Sequence, residues 1–281
     1  MLQDPEHPLQ IYVGVYDAIT AMAVSSIDGV DGLWLSSLGM SSARGLPDRN
    51  VLSVPEIVES SWSVLRSSAL PVVVDVDNGL GTLDSAARLA RELSAAGVAG
   101  ICIEDNAYPK RNSLVDADDR RLASSDGFAA LLATCAAALD GTRTRLIART
   151  EALVAGESVA SALDRGRRYA DAGAHALVFH SVDPTGSQVL EAGERWSGEC
   201  PLMAIPTAYP ALSRATLAAG GFSTVIYANQ VLRGIIRASQ LTTSGLLGST
   251  SESEAGLDIA AVGETIGLID ASARWASPTP G

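Results

Sequence analysis

Ala95-Ala96-Gly97-Val98-Ala99-Gly100-Ile101-Cys102-Ile103-Glu104 decides how this chain folds. A helical stretch runs out in small residues, a glycine follows that suits the left-handed position just past a helix, and a short apolar run then ends in an acid. A run that is apolar without alternation is what a strand buried on both faces requires. The phrase returns as Ile27-Asp28-Gly29-Val30-Asp31-Gly32-Leu33-Trp34-Leu35-Ser36, as Asp171-Ala172-Gly173-Ala174-His175-Ala176-Leu177-Val178-Phe179-His180, and as Ala218-Ala219-Gly220-Gly221-Phe222-Ser223-Thr224-Val225-Ile226-Tyr227. Working outward, Tyr12 to Val15, Val72 to Asp77, Leu146 to Arg149 and Leu202 to Pro206 supply the other strands. Helical periodicity fills the gaps. It is clearest from Leu83 to Ala96, where Ala86, Leu89, Ala90 and Leu93 share one face and Arg88, Arg91 and Glu92 lie off it. Strands alternating with helices over 281 residues predict an α/β protein, a single (β/α)8 TIM barrel in preference to two doubly wound halves.

With 20 Lys+Arg against 32 Asp+Glu the formal charge is −12, which would repel a phosphate backbone, and no basic run interleaved with aromatics offsets it. Nucleic acid is excluded as a partner. No stretch approaches the roughly 20 apolar residues of a membrane span, and no basic flank precedes an apolar run near Met1, so a cytoplasmic protein is expected. Cys102, Cys135 and Cys200 are too far apart for a metal or redox pair and are read as reduced and mostly buried. Two regions fall outside the repeating unit. Residues 107 to 125 are polar, with Pro109, clustered Asp and adjacent arginines, and form a long loop of the kind that is functional or disordered. From about Thr242 a Gly/Ser/Thr-rich extension begins, with Ile259 to Ala273 as a final helix.

In a barrel, chemistry collects where strands deliver their C-terminal residues. Here those residues are Asp75 and Asp77, Glu104, Arg149 and His180. Carboxylates on adjacent strand ends with no lysine beside them would repel one another unless a cation sat between them. An oxygen-only set of Asp75, Asp77 and Glu104 suits Mg²⁺ or Mn²⁺. Read singly, Asp77 could merely open the turn at Asn78-Gly79, Glu104 could pair with a helix end, and His180 could be a hydrogen-bonded core residue. Arg149 has no such bland alternative, because a buried guanidinium must meet carboxylates or an anionic ligand. Metal, Arg and His at one mouth describe a site for a small carboxylate or phosphate.

These residues, with Val15-Tyr16-Asp17-Ala18, Trp34-Leu35-Ser36-Ser37-Leu38-Gly39, Asp75-Val76-Asp77-Asn78-Gly79-Leu80-Gly81, Ala148-Arg149-Thr150-Glu151-Ala152 and Pro206-Thr207, resemble the phosphoenolpyruvate mutase/isocitrate lyase superfamily, and within it the mutases and phosphonopyruvate hydrolases. The resemblance runs from about Tyr12 to Ala238. It implies a barrel whose last helix is exchanged between subunits of a homodimer or homotetramer, and a Mg²⁺ that binds a keto or enol acid. It makes Asp75 the direct metal ligand, with Asp48, Asp77 and Glu104 holding the metal's waters. Trp34, Ser36, Ser37 and Leu38 fall on the substrate side, Arg149, Asn112, Ser113 and His180 around the phosphoryl, and Lys110 on a gating loop at 107–125. The mutase string Glu-Asp-Lys, five residues, Asn-Ser is met by Glu104-Asp105-Asn106 and Asn112-Ser113, so its lysine is replaced.

The activity implied is interconversion of phosphoenolpyruvate and phosphonopyruvate, in which the phosphoryl group leaves oxygen and is captured by C3 of the enolate without proton movement. Asn112 favours this over the hydrolases, which tend to carry Thr there, whereas Pro206-Thr207-Ala208-Tyr209-Pro210 resembles the hydrolase string. Carbon–carbon lyases of the superfamily carry a Cys where this chain has Asn112. A catalytically idle metabolite-binding barrel is the remaining alternative, with Asn106 as its sign.

Overall fold

The computed structural model describes residues 9–110 and 121–248, with 260, 261, 264, 265 and 268. Parallel strands close into a barrel in chain order: β1 (Gln10–Val15), β2 (Gly32–Leu35), β3 (Val72–Asp75), β4 (Gly100–Glu104), β5 (Arg145–Thr150), β6 (Ala176–Phe179), β7 (Leu202–Ala204) and β8 (Phe222–Tyr227). Around it lie α1 (Ala18–Ser25), α2 (Ser37–Ala43), α3 (Val54–Ser67), α4 (Leu83–Ala96), α5 (Ser125–Ala138), α6 (Val159–Asp171), α7 (Ser187–Arg195), α8 (Arg214–Ala219) and α9 (Gln230–Gly248). All eight expected strands are present, and β3 and β7 stop two residues short of the expectation.

The repeating phrase works as its residues suggest. Thr82 opens α4 by accepting the Ser85 N–H, Ala86, Leu89, Ala90 and Leu93 are buried with Ala87, and Gly97 closes the helix at φ 97°. That left-handed turn would cost a residue with a Cβ about 1–2 kcal/mol. In the fourth repeat the turn is taken by Gly221, at φ 87°, and not by Gly220.

The core has two layers. The larger lies between strands and helices and contains Leu33, Leu35, Val74, Ile101, Ile103, Leu146, Leu177 and Phe179. The smaller fills the barrel itself, with Tyr12, Trp34, Val73, Cys102, Ile147, Val178, Met203 and Ile226. Alternate residues of one strand thus belong to different layers, the period of two that a pleated strand imposes.

Thr242 lies inside α9, whose Leu232, Arg233, Arg237, Gln240 and Leu241 are good helix formers and carry the helix through the Ser and Thr residues. Beyond it, Glu264, Thr265 and Leu268 are helical and the Thr265 N–H donates to Ala261 O at 3.0 Å. Ala260 and Ala261, also within the expected final helix, have no regular structure, and its other residues lie outside the described ones. Cys102 and Cys135 are buried, Cys200 is half-buried, and all are free. Among the described residues no helix is long and apolar enough to cross a membrane.

Candidate active site

Two residues further along a strand, a side chain points the same way, so the barrel's apolar filling hands over to polar groups at the C-terminal mouth. Trp34 is followed by Ser36, Val73 by Asp75, Cys102 by Glu104, Ile147 by Arg149 and Val178 by His180. Ser36, Ser37, Leu38, Asp48, Asp75, Lys110, Arg149 and His180 line one cavity of about 480 Å³, its opening included. Trp34 lies one layer lower, in the barrel interior, with Nε1 buried and unpartnered. It is not part of the cavity wall.

The β4–β5 register sets Arg149 directly opposite Glu104. Its Nη1 stands 3.4 Å from Glu104 Oε2, its Nε donates to Glu151 Oε1, and its Nη2 lies 2.8 Å from His180 Nδ1. The guanidinium therefore meets carboxylates, as the sequence requires. Burial works against its charge, and Glu151, Glu104 and Asp75 outweigh that penalty. Burial pushes Glu104 up to about 8 against the pull of Arg149 and Lys110. Glu104 Oε1 accepts the Asn106 Nδ2–H at 2.9 Å, so the residue replacing the family's lysine supplies a neutral donor.

The expectation that the acids lack a lysine is overturned. Lys110 Nζ reaches Asp77 Oδ1 at 2.5 Å, Asp48 Oδ2 at 3.0 Å and Ser37 Oγ at 3.2 Å, because the chain after β4 folds back over the mouth. Burial alone would lower the Lys110 pKa; Asp77, Glu104, Asp48 and Asp75 hold it well above its ordinary value, so it stays charged. Among the described residues no three Asp, Glu, His or Cys side chains stand close enough together to hold a metal. The donor chemistry nevertheless fits magnesium, which keeps most of its waters and needs only one or two carboxylates. Asp75 lines the cavity, and Glu104 Oε2 accepts no hydrogen bond.

Asn112 and Ser113 lie outside the described residues, as does most of the loop expected at 107–125. The roots of that loop are paired: Ala107 N–H donates to Arg121 O and Ala123 N–H to Asp105 O, each at 2.8 Å. Asp105 itself faces away from the cavity, accepting from Thr150 Oγ1 at 2.8 Å, Tyr169 OH at 2.7 Å and Arg165 Nη1 at 3.3 Å.

Sequence reasoning missed Glu151, although it stands two residues after Arg149 and so shares its face. It also missed Asn229, which lines the far wall with Ile205, Thr207 and Ala228. Thr207 Oγ1 and Asn229 Oδ1 are buried without partners.

His180 should make the protein acid-sensitive. Burial, then the Arg149 charge, lowers its pKa below 6.5. Folded His180 is therefore neutral where unfolded His180 gains a proton, and stability falls as pH drops through about 6.5. Urea midpoints between pH 7.5 and pH 5 should fall, and fall less steeply in His180→Gln; identical slopes would count against this assignment.

A (β/α)8 barrel with carboxylates, a guanidinium and a neutral imidazole gathered at the C-terminal ends of its strands is an enzyme barrel suited to a small anion. The chain belongs to the phosphoenolpyruvate phosphomutase family, whose model matches residues 2–247, within the isocitrate lyase/PEP mutase superfamily. Phosphoenolpyruvate phosphomutase of Streptomyces hygroscopicus is 36% identical over 227 residues, 80% of this chain and 72% of the relative. Among solved structures, phosphoenolpyruvate phosphomutase from Streptomyces platensis subsp. rosaceus superposes with a TM-score of 0.88 at 33% identity, covering 92% of this chain and 90% of that one. A phosphonopyruvate hydrolase in complex with oxalate and Mg²⁺ superposes at 0.85 with 29% identity, covering 92% and 89%.

Proposed function

We propose that the chain is a Mg²⁺-dependent phosphoenolpyruvate mutase, interconverting phosphoenolpyruvate and phosphonopyruvate. The observation that carries the reading is a small cavity with Arg149 and His180 in its wall, Asp75 and Ser36 to Leu38 in the same wall, and the buried Lys110 ammonium at its rim. In the reaction the P–O bond of phosphoenolpyruvate breaks, the phosphoryl passes as a metaphosphate-like fragment, and a P–C bond forms at C3. No proton or electron is exchanged with the protein. Catalysis is then positioning, charge stabilisation and exclusion of water.

Arg149 and His180 would hold the phosphoryl oxygens, and Ser36, Ser37 and Leu38 would receive the carboxylate. Asp75 would hold the metal directly, with Asp48, Asp77 and Glu104 on its waters, and Mg²⁺ would supply Lewis-acid stabilisation of the enolate oxygens. Lys110 would keep water out of the rim. The same reading places the reaction in the cytoplasm, in keeping with three free cysteines. It also assigns the exposed face of α9, with Ile235, Ile236, Leu241 and Leu247, to a second copy of the chain in a homodimer or homotetramer with exchanged helices.

A hydrolase is the second reading, favoured by the unpartnered Thr207 hydroxyl in the Pro206-to-Pro210 string, which could hold a water in the cavity. Phosphorus NMR of the protein with Mg²⁺ and phosphonopyruvate separates the two. The phosphoenolpyruvate signal is expected to grow; inorganic phosphate alone would establish the hydrolase, and an unchanged spectrum would remove both.

A further inference from the structure

Asn50 lies on the loop between α2 and α3 and belongs to no motif above. Its backbone is left-handed, at φ 57°, a conformation Asn takes more readily than other residues with a side chain. Its amide faces two ways. Oδ1 accepts the backbone N–H of Lys110 at 2.6 Å, and Nδ2 donates to Asp77 Oδ2 at 3.2 Å. This orientation is fixed, because turning the amide over would set donor against donor and acceptor against acceptor. The other oxygen of the same carboxylate takes Lys110 Nζ at 2.5 Å, and Asp48, two residues before Asn50, takes that ammonium at 3.0 Å.

One short loop thus grips Lys110 at both ends, the main chain through Asn50 and the tip through Asp48. A lysine tip rides on a flexible four-carbon stem, so aiming it requires that its main chain be fixed. We infer that Asn50 is a positioning residue that sets where Lys110 Nζ stands in the cavity wall, by tying the Lys110 main chain to the Asp77 carboxylate. The placement of Lys110 stands on geometry alone; its effect on turnover rests on the proposed isomerase.

Two variants test it. Asn50→Gly keeps the left-handed turn without strain and removes both hydrogen bonds. Asn50→Asp tolerates the same turn and keeps an acceptor for the Lys110 N–H, but sets a carboxylate against Asp77. The first readout needs no activity: limited trypsin digestion of the metal-free protein, with cleavage after Lys110 followed by mass spectrometry. Lys110 is 6% exposed and should be cut slowly in the parent protein, and roughly tenfold faster in both variants, as the loss of one or two net hydrogen bonds predicts. Unchanged cleavage at Lys110 in Asn50→Gly, or a general gain at every site, would overturn the inference.

The second readout is turnover of phosphonopyruvate with Mg²⁺, where kcat should fall about tenfold with KM nearly constant. Some phosphorus should then leave as inorganic phosphate. Faster cleavage at Lys110 with no isomer formed even by the parent protein would leave the positioning role standing and remove the isomerase.

Discussion

Replacing Arg149 by Met should lower the thermal midpoint by roughly 10 °C and reduce kcat/KM about a thousandfold, as loss of a preorganised donor to a phosphoryl group does. The stability arm follows from the company Arg149 keeps. Glu104 and Glu151 are each 1% exposed and both meet the guanidinium, so removing it leaves two buried carboxyl groups without the cation that favours their ionised forms. Breaking a buried pair from one side typically costs about 3–5 kcal/mol. The double variant Arg149→Met with Glu151→Gln replaces one of those acids by a neutral amide and should recover much of the midpoint without recovering turnover. Differential scanning calorimetry and steady-state kinetics on the two proteins divide the roles. Turnover restored together with stability would mean that Arg149 is only scaffolding.

Asp75→Ala should abolish turnover while leaving the fold intact. Asp75 ends β3 in the cavity wall, and among the described residues no ion pair terminates on it. Its protein partners are Ser37 Oγ at 3.0 Å and the Asp77 N–H at 3.4 Å, so the stability cost is about 1 kcal/mol. The activity cost is total if this carboxylate holds the metal, and EDTA should reproduce it in the parent protein. Titration with Mn²⁺ followed by electron paramagnetic resonance should give binding in the parent and none in Asp75→Ala. Full turnover in excess EDTA would take the metal out of the mechanism.

The barrel was readable because its signals are local. A glycine next to an apolar run lies within ten residues of its strand, and four copies of one phrase suffice to set the period. The strand-end chemistry was readable for the same reason: Arg149 follows Leu146-Ile147-Ala148 immediately. Pleat parity carries the same local logic further along each strand. Counting by twos assigns Glu151 to the face of Arg149, and assigns Asp105 to the face opposite Glu104, where it meets Thr150, Tyr169 and Arg165. What escapes such counting is contact made by loops. Lys110 meets Asp48 and Asn50 across about sixty residues of chain, through segments with no periodicity, and no local pattern announces where a polar loop will fold back. The lysine that answers the acids was therefore in the sequence but not in its neighbourhood.

The paired roots of the loop after β4 bear on how such a barrel changes its chemistry. Residues 107 and 121 are joined by one main-chain hydrogen bond and residues 105 and 123 by another, and the inner carboxylate of that foundation is tied to α6 rather than to the cavity. The intervening chain is a cassette on a finished socket. Once its ends are fixed side by side, doubling its length costs only about 0.6 kcal/mol of closure entropy. Changes of length and composition confined to residues 111–120 would leave these two hydrogen bonds, and the Lys110 contacts with Asp48 and Asp77, in place, so the reaction run on this barrel can be varied there while its foundations stay as they are.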